Sequence, residues 1–156
     1  MNDRLKDALR RAASFCAYQE RTQQEVRERL AEWDVYGDDA DLIIVELIEQ
    51  NYLNEERFAK TFAGSKFRVK SWGKHKIRQH LKQRGITGHN LETAMKEIEP
   101  DDYRQRLTEL LEKKKRTLPQ ESPLALKQKL ARYAISKGFE PELVYELVNE
   151  RIANSD

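Results

Sequence analysis

Gly73-Lys74-His75-Lys76-Ile77-Arg78-Gln79-His80-Leu81-Lys82-Gln83-Arg84-Gly85-Ile86 decides the reading of this chain. Ile77 and Leu81 stand four apart, so they share one face of a helix. Gly85 follows where a helix commonly ends in the left-handed conformation, at no steric cost to glycine. Ile86 then folds back onto the helix just left. The same grammar recurs twice. Val26-x3-Leu30 is followed by Asp34-Val35, and Leu130-x3-Ala134 by Gly138-Phe139. The closing apolar residues Val35, Ile86 and Phe139 are 51 and 53 residues apart. In the first copy aspartate takes the glycine position, which it tolerates less well.

Each copy is flanked by amphipathic helices. One precedes it (around Leu5 to Tyr18, Arg57 to Val69, Tyr103 to Lys115) and one follows (Leu42 to Tyr52, Leu91 to Ile98, Leu143 to Ile152). Helix starts are signalled by the capping box Thr22-x-x-Glu25, by Asn54, by Ser122-Pro123 and by Pro141. No stretch alternates with period two for long, so no strand is expected. The expected fold class is all-α: about nine helices in three tandem three-helix repeats, over 1–53, 54–99 and 100–156, elongated and curved as stacked arrays tend to be.

Charge singles out the middle repeat. Residues 57–91 contain ten Lys/Arg, all three histidines and no carboxylate. The chain as a whole is +2, so the remainder, with 19 Lys/Arg against 27 Asp/Glu, carries −8. Such segregation points to a polyanionic partner, either nucleic acid or an acidic protein surface. The plainer alternative is a solvated helix face. Lys74, Arg78 and Lys82 recur every four residues and form one stripe beside the core-facing Ile77 and Leu81. Lys66, Arg68 and Lys70 lie on the preceding helix, and Lys76 and Arg84 complete the candidate contact set. Trp72, in the loop between the two helices, is either an interface anchor or base-stacking ring, or a plug at the helix junction. Lys113-Lys114-Lys115-Arg116 is a second basic block, at a helix end where cations also suit the helix dipole. Trp33 is expected to pack inside or at a repeat boundary.

Several chemistries lack their signatures. Gly73-Lys74 has neither the upstream glycine nor the following Ser/Thr of a phosphate loop. Ser71-x-x-Lys74 stands without the companion motifs of acyl-serine enzymes. His75, His80 and His89 are not at metal-pair spacing, and Cys16 is the chain's one cysteine. Cys16 lies on an apolar helix face, as a core residue rather than a nucleophile. No disulfide framework, bilayer-length apolar run or secretory signal is seen, so a cytoplasmic protein without cofactor or metal is expected.

Taken together, Tyr52-Leu53-Asn54-Glu55-Glu56-Arg57-Phe58-Ala59, then Phe62, then Gly73 through Ile86, resemble the RecX family of recombinase regulators. Glu25-Val26-Arg27-x2-Leu30 matches in the first repeat, and Arg132-Tyr133 with Lys137-Gly138-Phe139 more loosely in the third. The sequence departs from the pattern at Asp34 (usually glycine), Asn54 (commonly aspartate) and Lys74 (often proline). The resemblance implies tandem three-helix repeats and no catalysis. It implies binding in the groove of the filament that RecA recombinase forms on single-stranded DNA. There the protein inhibits ATP hydrolysis, strand exchange and filament growth, within recombination, repair and the SOS response. The partners so implied are the RecA filament and single- or double-stranded DNA in its context; a monomer is expected. The alternative from the residues alone is a stand-alone nucleic-acid-binding module with tandem helix-turn-helix-like units.

Overall fold

A computed structural model describes residues 1–152. Among these there are nine helices and no strand: α1 (Asp3–Tyr18), α2 (Gln23–Glu32), α3 (Gly37–Glu49), α4 (Glu55–Lys70), α5 (Lys74–Gln83), α6 (Gly88–Met95), α7 (Pro100–Thr117), α8 (Pro123–Ser136) and α9 (Pro141–Arg151). The all-α expectation holds.

The three recurring closures are one hydrogen-bonding device. Val35, Ile86 and Phe139 donate their backbone N–H to Leu30, Leu81 and Ala134, at 2.9, 3.0 and 3.2 Å. One residue earlier, Asp34, Gly85 and Gly138 donate to Ala31, Lys82 and Ile135. This paired pattern satisfies the carbonyls a helix end leaves open, and it needs a left-handed residue at its centre. Asp34, Gly85 and Gly138 have φ of 59°, 80° and 101°. All nine repeat-defining apolar residues, Val26 through Phe139, are buried. Asp34→Gly removes a side-chain penalty at φ 59° and is expected to raise stability by roughly 0.5–1 kcal/mol, net of glycine's greater unfolded-state freedom. Chemical denaturation checks this; an unchanged midpoint contradicts it.

The expected helix starts are in place. Thr22 Oγ1 accepts from the Glu25 N–H (3.1 Å), Asn54 Oδ1 from Arg57 (2.9 Å) and Ser122 Oγ from Ala125 (3.2 Å). Glu99, ahead of Pro100, accepts from Asp102 at 2.9 Å. The carboxylates around Pro100 therefore include a true helix cap.

The chain forms two compact units. One comprises Met1–Phe62 with Leu81–Ala94; the other comprises Ala63–His80 with the chain from Met95 onward. Both α4 and α5 contribute to each. In the first, α1, α2 and α3 pack around Leu5, Ala12, Val26, Leu30, Ile43 and Leu47. Cys16 is in this core, and burial pushes its thiol up to about 11, so it stays neutral and unreactive. Trp33 is half-buried against the same core, with the Arg11 guanidinium 4.1 Å from its ring centroid. In the second unit α7, α8 and α9 enclose Tyr103, Leu107, Leu130, Ala134, Phe139 and Leu147. Among the described residues no helix is long and apolar enough to cross a membrane.

Candidate partner-binding surface

The cationic residues of α4 and α5 fall into distinct local settings. In the second unit Trp72 is half-buried rather than fully exposed. Its ring lies 4.5 Å from the His80 ring, and the Lys66 and Lys76 ammonium groups stand 5.0 and 4.6 Å from its centroid. The ring thus packs at the helix junction and gathers cations of its own chain around its π-face. Lys74 is half-buried, its Nζ 4.7 Å from the Tyr103 centroid. Arg78 is half-buried, whereas Arg68 and Lys70 are exposed. In the first unit Lys82 is exposed, and the half-buried Arg84 sits 4.8 Å from the ring of Phe62, which stacks on Phe58. Not every cation of the window faces outward chemistry. Arg57 Nε reaches both Glu20 carboxylate oxygens at 2.7 Å, and its other nitrogens hold Asn51 and the Tyr52 carbonyl. Arg57 is therefore a structural tie.

The start of α5 is fixed by residues far along the chain. Gly73 donates its N–H to the Lys137 carbonyl (2.8 Å), and His75 to the Gly138 carbonyl (2.9 Å). Between them, the Lys74 N–H donates to the Tyr103 hydroxyl oxygen at 2.9 Å. That hydroxyl in turn donates to the Glu140 carboxylate. Burial first, then the bond to Glu140, raises the Tyr103 pKa well above the usual phenol range, so it remains a donor. The open amides of a helix start are here consumed by the protein itself, which removes them as an anion site. Proline at position 74 would have no N–H to give Tyr103; lysine supplies one.

The end of α4 is held in the same way. Arg106 Nη1 bonds the carbonyls of Phe67 and Arg68, both at 3.1 Å, and Ser71 Oγ at 2.9 Å. Ser71 is left-handed, with φ 55°. The Lys137 Nζ adds a bond to the Lys70 carbonyl at 3.2 Å. These supporting residues were not legible beforehand, because each lies 29 or more residues from what it holds. In the second basic block, Lys114 lies 4.8 Å from the Tyr133 ring centroid, in the last turn of α7 where basic side chains meet open carbonyls. Among the described residues no group of His, Cys, Asp or Glu is arranged to hold a metal ion.

A three-helix pattern closed three times, with a braced cationic segment at its middle, defines an all-helical tandem-repeat protein. Family models for the first, second and third three-helix domains of RecX match residues 8–47, 54–95 and 101–148. The chain belongs to the RecX family. Its relatives include the regulatory protein RecX of Leuconostoc mesenteroides, 26% identical over 155 residues, which covers 99% of this chain and 58% of the relative. Regulatory protein RecX of Bacillus cytotoxicus is 31% identical, covering 96% and 55%. The Salmonella paratyphi A protein of that name is 32% identical, covering 84% and 83%. The chain thus spans somewhat over half the length of the first two. The fold is shared with the crystal structure of RecX from Lactobacillus salivarius, with a TM-score of 0.88 at 22% identity over 96% of this chain and 97% of that one. A crystal structure of regulatory protein RecX gives 0.84 at 24% identity, covering 95% and 74%.

Proposed function

We propose that this chain is a negative regulator of homologous recombination, which binds the RecA filament on single-stranded DNA and slows its ATP hydrolysis, strand exchange and growth. The observation that carries the proposal is the acid-free segment 57–91, braced at both ends of the α4–α5 junction, in a member of a regulatory family. Cations on a pre-set helix pair meet phosphates at a lower backbone ordering cost than cations on an unfixed segment. Lys66, Arg68, Lys70, Lys74, Lys76, Arg78, Lys82 and Arg84 supply the charge, and Trp72 supplies an aromatic face. Tandem repeats touching successive protomers raise effective concentration, so modest single contacts sum to tight binding. The protein acts as a cytoplasmic monomer, without cofactor and without covalent chemistry.

The test is a titration of DNA-stimulated RecA ATP hydrolysis and strand exchange. Both are expected to fall at sub-stoichiometric protein; rates that do not respond refute the proposal. A parallel salt series separates this from a stand-alone nucleic-acid-binding module. Binding to naked single strands should weaken with salt by a log–log slope of about −0.7 per phosphate contact. At one fixed salt concentration the filament should bind far more tightly than the naked strand. Equal affinities would favour the module.

A further inference from the structure

The outward face of α3 carries an arrangement that solvent does not call for. Ala40, Ile43, Ile44 and Leu47 point to the core. On the opposite side Leu42, Val45 and Ile48, three residues apart, are 52%, 50% and 44% exposed. At 100° per residue they cross the side of the helix turned away from Ile43 and Leu47. Asp38, Asp41 and Glu49 are exposed on that same side. From Leu30 to Glu56 the chain has nine carboxylates and no Lys/Arg. Cations from outside the stretch reach some of its carboxylates: Arg27 Nη2 meets Asp41 at 2.8 Å, Arg29 meets Glu32 at 3.3 Å and Lys60 meets Glu56 at 3.4 Å. A helix apolar on two sides is ordinarily covered on both, and an exposed apolar strip with a polar rim marks a contact surface.

We infer that the outward face of α3, through Leu42, Val45 and Ile48 within an acidic rim, docks a protein surface with an apolar centre and Lys/Arg around it. The inference rests on the proposed function and sharpens it: the protein component of the filament takes α3, while the cationic α4–α5 segment takes the DNA. Charge complementarity makes the choice. A stretch of nine carboxylates with no Lys/Arg of its own repels phosphate and anionic lipid headgroups alike. The apolar strip asks for a desolvated partner rather than a free ion. A nucleoprotein presents two chemistries, and consecutive segments of this chain carry the complement of each.

The test compares two double variants, Leu42→Gln with Val45→Gln and Asp38→Lys with Glu49→Lys, both at exposed positions. Affinities are measured for a RecA filament on a labelled oligonucleotide and for the same oligonucleotide naked. Filament binding is expected to weaken about tenfold or more in both variants, the loss typical of anchor residues. Naked-strand binding should stay within about twofold for the glutamine pair, which also reports intact folding. Wild-type filament affinity in both variants overturns the inference. So does an equal loss on the naked strand, or a wild-type dimer that the glutamine pair dissociates, which would make a second copy the occupant. A wild-type protein that ignores the filament topples the functional proposal itself, and this inference with it.

Discussion

Gly73→Ala is expected to lower stability by about 3 kcal/mol, the upper end of overpacking costs, and the melting temperature by roughly 6–12 °C for a chain of this size. Gly73 is buried, and a Cβ there would lie 2.2 Å from both the Gly138 carbonyl carbon and the Phe139 nitrogen. Those are backbone atoms, fixed by the closure of α8, so no side chain can swing away. The φ of Gly73 is not in the left-handed region, which leaves space as the sole objection. Gly138 has the reciprocal problem, as its own Cβ would lie 2.3 Å from that of Lys76. Two main chains meet here because neither has a side chain, and the bonds Gly73 N–H to Lys137 and His75 N–H to Gly138 are the result. Thermal unfolding by circular dichroism checks the prediction. Gly64→Ala is the control: its Cβ would meet the flexible guanidinium of Arg68, and α4 should bear it within about 1 kcal/mol. Equal, small shifts in both variants would mean that the Gly73–Gly138 approach is not tight.

Lys74→Glu, Arg78→Glu and Lys82→Glu together should weaken binding to the filament and to naked single strands by more than about 100-fold near 0.1 M salt. The change replaces three cations with three anions in the segment argued to meet phosphate. Helicity should survive. Ile77 and Leu81, on the adjoining face, are fully buried and untouched, and the Lys74 backbone N–H still reaches Tyr103. Lys74 also leans on the Tyr103 ring, so the Arg78/Lys82 pair alone tests the charge with that contact left in place. Lost helical signal in that pair would make the stripe structural. Intact binding in the triple variant would move the nucleic-acid contact off α5.

What the sequence made legible was local. Spacing of four and five placed Leu30 and Val35, Leu81 and Ile86, Ala134 and Phe139 at helix ends, because the closing bond pattern spans six residues. Thr22, Asn54 and Ser122 were readable as caps because a cap acts three residues away. Trp72 and its lysines were readable as a cluster, since a short loop joins their helices. The brace around them was not. Tyr103, Arg106, Lys137 and Glu140 carry no mark that they serve residues 29 or more positions earlier, and Gly73 carries none of the main chain it touches. The contiguous Leu42-Ile43-Ile44-Val45 hid its own division, for four apolar residues in a row cover every side of a helix. Only packing shows that the middle two turn inward.

The bonds from Gly73, Lys74 and His75 to Lys137, Tyr103 and Gly138 set an order on biosynthesis. The lysines and arginines of α5 leave the ribosome well before the residues that seat them. Until the turn ahead of Pro141 has been made, the Gly73 and His75 amides at the start of that helix lack their acceptors. A nascent chain thus displays its cations early but in an unset form, and they are seated only once residues 137–138 have been made.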